Sequence, residues 1–124
     1  MIINFILYVK DQALSREFYA AALALAPRLD VPGMTEFELG PGCVLGLMPE
    51  KGIKRLLPAL PDPEAGRAPR AEVYLTVPDP AAAHARALAA GASELSPLAP
   101  RDWGDNAAYS LDPDGHVLAF AARL

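Results

Sequence analysis

One cysteine stands in the whole chain, Cys43, so a disulfide framework and a cysteine-built metal cage are both excluded within a single copy. Histidine is nearly as scarce, with only His84 and His116. Neither has a serine partner in the strand-turn-helix setting that nucleophilic hydrolysis uses, because Ser15, Ser93, Ser96 and Ser110 all lack that context. Lysine and arginine form no stripe, and a net charge of -4 with a pI near 5.0 argues against nucleic acid as a partner. The opening MIINFILYVKD carries no basic leader or cleavage site, and no apolar run approaches the length of a membrane span, so a cytoplasmic protein is expected.

What is abundant is apolar surface. With 52% hydrophobic residues and a mean hydropathy of +0.18, 124 residues can build one domain with a real core and still leave surface for a partner copy to cover. A homodimer is therefore expected. The run from Ile3 to Val9 puts Phe5, Leu7 and Val9 on one strand face and Asn4, Ile6 and Tyr8 on the other. Asp11 is suited to cap a helix over residues 12–24, whose Leu14, Phe18, Ala21 or Ala22 and Leu25 recur at helical spacing. Short strands follow over 28–31, 36–39 and 43–48, separated by Pro32-Gly33 and Gly40-Pro41-Gly42. Residues 49–70 change character. Pro58, Pro61, Pro63, Pro69, Gly52 and Gly66 exclude a long regular element, so this reads as a linker in which Leu56, Leu57 and Leu60 pack down around at most a helical turn.

After the linker the pattern restarts. A strand over 72–77 precedes Asp79, which caps a helix with Pro80 at its first position and Gly91 as its stop. A weak strand over 92–95 follows, and then a hairpin whose turn is Asp112-Pro113-Asp114-Gly115. Subtraction exposes the repeat: Val9 and Asp11 return as Val77 and Asp79 at an offset of 68 (77 − 9), and Val44, Leu45 and Leu47 return as Val117, Leu118 and Phe120 at 73 (117 − 44). Two βαβββ modules are expected, 1–48 and 71–124, joined by the 49–70 linker in an α+β domain.

The stretch DPDGHVLAF, with Trp103-Gly104 upstream, resembles the C-terminal signature of the vicinal oxygen chelate superfamily, which contains glyoxalase I, bleomycin-resistance proteins and extradiol dioxygenases. The resemblance covers nearly the whole chain outside the linker. It implies a curved, mixed eight-stranded sheet with its helices on the outer face and a cup on the other. Metal-using members draw ligands from the first and last strands of each module, and those positions map here to Asn4, Gly46, Glu72 and Ala119. Gly46 and Ala119 have no side-chain donor, so neither a metal nor another cofactor is expected.

Small residues at Gly46, Ala108, Ala119 and Ala121, assigned to the cup face by alternation, are expected to leave volume for a ligand. Tyr8, Met48, Tyr74 and Trp103 would supply walls, and Asn4 and Glu72 the polar groups. Glu72 is either solvated at a rim or buried with a role, and is the candidate catalytic residue. His84 is expected on a solvated helix face, and His116 to pack or cap locally after the turn. Three functions stay open: a metal-free binding protein like the bleomycin-resistance members, of antibiotic-resistance type, for which an acidic chain with Glu72 and Asp102 suits a cationic ligand; a metal-dependent lyase or dioxygenase; and a metal-free enzyme with Glu72 as general base. Whether the protein is an enzyme is left open by these residues.

Overall fold

A computed structural model describes residues 1–64 and 67–124. In chain order the elements are β1 (Ile3–Val9), α1 (Gln12–Leu23), β2 (Leu29–Val31), β3 (Met34–Gly40), β4 (Cys43–Pro49), α2 (Glu50–Leu56), β5 (Glu72–Thr76), α3 (Pro80–Ala89), β6 (Ser93–Pro100), β7 (Asp105–Leu111) and β8 (Val117–Arg123). The eight strands form two hydrogen-bonded sheets of four, ordered β1-β4-β3-β2 and β5-β8-β7-β6. Each has one parallel pair, β1 with β4 and β5 with β8, and its remaining pairs antiparallel. The matching strand order makes the internal repeat a structural one. The compact units are Met1–Ala20 with Leu25–Gly66, and Ala21–Ala24 with Arg67–Leu124.

The local signals act as expected. The Asp11 carboxylate accepts from the Leu14 amide at 3.0 Å and the Asp79 carboxylate from Ala82 at 3.0 Å, each satisfying a free amide of a first helical turn. The hairpin turn closes through the Gly115 amide on the Asp112 carbonyl at 3.0 Å, with Gly115 at φ 88°. Helix α1, however, buries Ser15, Phe18, Tyr19 and Ala22 instead of a stripe through Leu14 and Leu25, which are half exposed. The stripe is rotated by one residue, bringing Phe18 and Tyr19 together edge to face at 4.9 Å. On β1, Leu7 and Val9 are buried as expected but Phe5 is 42% exposed.

Three further expectations need correction. The linker contains a true helix, α2, which ends at Leu56 just ahead of Pro58 and packs on β4 and β1. Ile53 is its buried anchor, whereas Leu56 and Leu57 stay exposed and Leu60 is half buried. Strand β6 runs to Pro100, well beyond residue 95. It tolerates Pro97 because it is the edge strand of its sheet and its register shifts between Glu94 and Ser96 and again between Ser96 and Ala99. His84 is not on a solvated face. It is buried with Pro80, Ala83 and Ala87 on the side of α3 that packs on β6, β7 and β8, and its Nε2 lies 2.9 Å from Glu94 Oε2.

Candidate functional site

Cross-strand partners share a face, so the registers decide which residues line each sheet. In the first sheet Asn4 pairs with Val44, Ile6 with Gly46 and Tyr8 with Met48, and Gly46 in turn opposes Glu36. Asn4, Tyr8 and Met48 therefore lie on one face, with Asn4 and Tyr8 exposed and Met48 half buried. The expected volume at Gly46 is not open. A Cβ there would meet Ile6 Cγ1 at 3.1 Å and the Met34 sulfur at 3.2 Å, because these larger neighbours close over the glycine.

In the second sheet Glu72 pairs with Val117, Tyr74 with Ala119 and Thr76 with Ala121, while β7 sets Tyr109 against Ala119 and Ala107 against Ala121. Ala107 thus shares the face expected of Ala108. Ala108 pairs with Phe120, on the opposite face from Ala119, and leaves the proposed set. Ala119 is fully buried, not open. Tyr74 and Tyr109 flank it from either side, two strand spacings or about 10 Å apart in backbone, yet their rings approach to 6.4 Å. The small side chain gives the two rings room to lean together. Glu72 is exposed, which fits the rim alternative for this carboxylate.

Tyr74 and Trp103 are brought together directly. The Trp103 indole N–H donates to the Tyr74 hydroxyl oxygen at 3.1 Å, and that hydroxyl donates to Asp105 Oδ2 at 2.7 Å. Arg123 bonds to Asp105 Oδ1 and to the Trp103 carbonyl, each at 3.3 Å. The Tyr74 bond, then Arg123, holds the Asp105 carboxyl below its ordinary value, more than offsetting partial desolvation. For Tyr74 the Trp103 bond pulls the phenol pKa down, but the Asp105 bond, desolvation and the Asp105 charge outweigh it and the pKa is raised. Burial, then the Glu72 charge, raises Tyr109, against the guanidinium of Arg101 5.2 Å from its ring centroid. Arg101 is itself fixed by bonds to the Ala107 carbonyl and, at 2.8 Å, to Ser96 Oγ. Asp105, Tyr109, Arg101 and Arg123 were not among the candidates. Arg101 and Asp105 had a signal in standing beside Trp103 in the sequence, and Tyr109 in the alternation of the strand that leads to the hairpin turn, whereas Arg123 had none.

The four positions the resemblance implies for a metal do not fit one. Gly46 is closed over by Ile6 and Met34, and Ala119 is buried between two tyrosines without a donor. Asp112, Asp114 and His116 do form a cluster, with ligand atoms within 4.8 Å of one another. None of the three is a family ligand position. The Asp112 carboxylate accepts from the Asp114 amide at 2.9 Å and the His116 amide at 2.8 Å, and its second oxygen lies 2.8 Å from His116 Nδ1. Both oxygens are thus engaged in holding the hairpin turn, and His116 caps locally as expected.

A family model described as a glyoxalase-like domain matches residues 4–121. A glyoxalase/bleomycin resistance protein/dioxygenase from Nocardioides is 29% identical, with a TM-score of 0.76 over 100% of this chain and 83% of its own. Two further solved structures share the fold: a glyoxalase-related enzyme from Fulvimarina pelagi (22% identity, TM-score 0.83, 99% and 88% covered) and a glyoxalase/bleomycin resistance protein/dioxygenase family enzyme from Burkholderia phytofirmans PsJN (15%, 0.84, 98% and 97%). No curated protein matches the sequence.

Proposed function

The chain belongs to the glyoxalase-like domain family, and from that premise we propose that it is a metal-independent small-molecule-binding protein of the glyoxalase/bleomycin-resistance type. The observation that carries this reading is the closure at Gly46. The glyoxalase-like resemblance puts an ion-binding side chain at that position, and here glycine supplies no donor while the Ile6 and Met34 side chains crowd the spot, so that even a Cβ would require them to shift. Ala119, its repeat counterpart, is sealed in the same sense by the flanking tyrosines. Asn4 and Glu72 remain as polar groups on exposed parts of the two sheet faces, and one amide with one carboxylate is a poor set for a divalent transition ion.

Self-association belongs to the same reading. Ile3 and Phe5 on one face of β1 and Ile6 and Tyr8 on the other are each 39–52% exposed, on a strand at the edge of its sheet. Elemental analysis of purified protein tests the metal-free part: less than a tenth of an equivalent of Zn, Ni, Fe or Mn is expected, and about one equivalent that survives dialysis would overturn it. A monomer by light scattering at tens of micromolar would remove the homodimer.

A further inference from the structure

Helix α2 and the segment 57–63, together with Tyr8 from the face of the first sheet, line a half-open cavity of about 620 Å³ that contains none of the family ligand positions. We propose that this cavity binds a small organic carboxylate with an apolar body, its anionic head held by Lys51 and Arg55. The proposal deepens the proposed function by naming a ligand class, and it rests on small-molecule binding but not on the absence of metal.

The size is that of a small-molecule site. Its apolar walls are Tyr8, Ile53, Leu60, Pro61 and Pro63. The Lys54 ammonium donates to the Leu60 carbonyl and pairs with Asp62 Oδ1 at 3.3 Å, while the Leu60 amide bonds to the Leu57 carbonyl at 2.9 Å. Lys54 thereby ties the segment back to the helix, so it is a positioning residue and its charge is already matched. Glu50 and Asp62 are the two lining carboxylates, and of these Asp62 is the one paired with Lys54.

The lining therefore carries three cations against two carboxylates, and Lys51 and Arg55 are the cations not paired with Asp62. They are also four residues apart, they line the same cavity, and both are exposed. Two like charges at i,i+4 destabilise a helix unless an anion lies between them. A single carboxylate meets the ammonium and the guanidinium together through charge-assisted hydrogen bonds. The cationic ligand suggested by the acidic composition is disfavoured at this site for the same reason that an anion is favoured.

Amide NMR on the full chain, with phenylacetate, phenylacetamide and phenethylamine as matched probes, tests this. Phenylacetate is expected to shift resonances over residues 50–63 and at Tyr8, the amide to bind about ten-fold more weakly or worse, and inorganic phosphate, lacking an apolar body, to leave them unmoved. The double variant Lys51→Gln with Arg55→Gln should lose about ten-fold in phenylacetate affinity. Its thermal midpoint should not fall, since both side chains are exposed. Equal binding of acid and amide, tighter binding of phenethylamine, an unaffected double variant, or no response to phenylacetate would each overturn the proposal. A response confined to Glu72 and Trp103 would overturn this siting while leaving metal-free binding intact. A stoichiometric metal would overturn the metal-free reading and leave this cavity untouched.

Discussion

Tyr74 on β5 donates its hydroxyl hydrogen to Asp105 at the start of β7 across 2.7 Å, skipping the intervening strand β8. The bond ties the two strands across one face of the second sheet, and Trp103 and Arg123 close it into a four-residue network. It also lowers the pKa of Asp105 and helps to raise that of Tyr74.

Because Asp105 is held below its ordinary 3.8, chiefly by Tyr74, its contribution to stability is present above that value and is lost as pH falls through the lower folded value. Tyr74→Phe should bring the folded pKa back toward 3.8 and so shrink this acid-range loss, and should shift Trp103 emission. Urea unfolding across the acid range and tryptophan fluorescence read the two effects. Tyr74 itself is raised above 10.0, so its contribution is present below that pH and disappears as pH rises through the folded value. In Asp105→Asn the tyrosinate absorbance should therefore appear at lower pH.

Ala119→Leu should destabilise the protein by about 1–3 kcal/mol, because the added carbons must fit between rings that already approach across a buried alanine. The urea midpoint is the readout. An unchanged midpoint would mean the face beneath Tyr74 and Tyr109 holds unfilled space.

Asp112→Ala should cost about 1–3 kcal/mol, since it strands the amides of Asp114 and His116 in a part-buried turn. Hydrogen exchange at those two amides should accelerate before the rest of β7 and β8 responds.

Ala24 sits at φ 54°, in the left-handed region, where it ends α1 with the Leu25 amide bonded to the Ala20 carbonyl at 3.2 Å. Ala24→Gly should relieve the Cβ strain and stabilise by about 0.5–1 kcal/mol despite the added freedom of the unfolded chain. A lower thermal midpoint would indicate that the alanine methyl makes packing contacts worth more than the strain.

Features held by bonds reaching only a few residues were legible from the residues alone. Asp11 and Asp79 cap their helices, Asp112 to Gly115 turns the chain, and the recurrence of Val9-Asp11 as Val77-Asp79 marks two modules that adopt one strand order. Each rests on hydrogen bonding and hydrophobic periodicity that the local sequence dictates. The state of the space above each sheet was not legible, because it depends on side chains from strands distant in sequence. Gly46 and Ala119 read as vacancies until Ile6 and Met34, or Tyr74 and Tyr109, were brought over them by the register. Ala108 changed face for the same reason: strand alternation gives two sides, and only pairing with Phe120 says which. Helix α2 and the cavity beside it were hidden by the prolines that follow. Pro58 ends the helix without preventing the turns before it, and the cavity lies where Lys54 bonds to the 57–63 segment that follows.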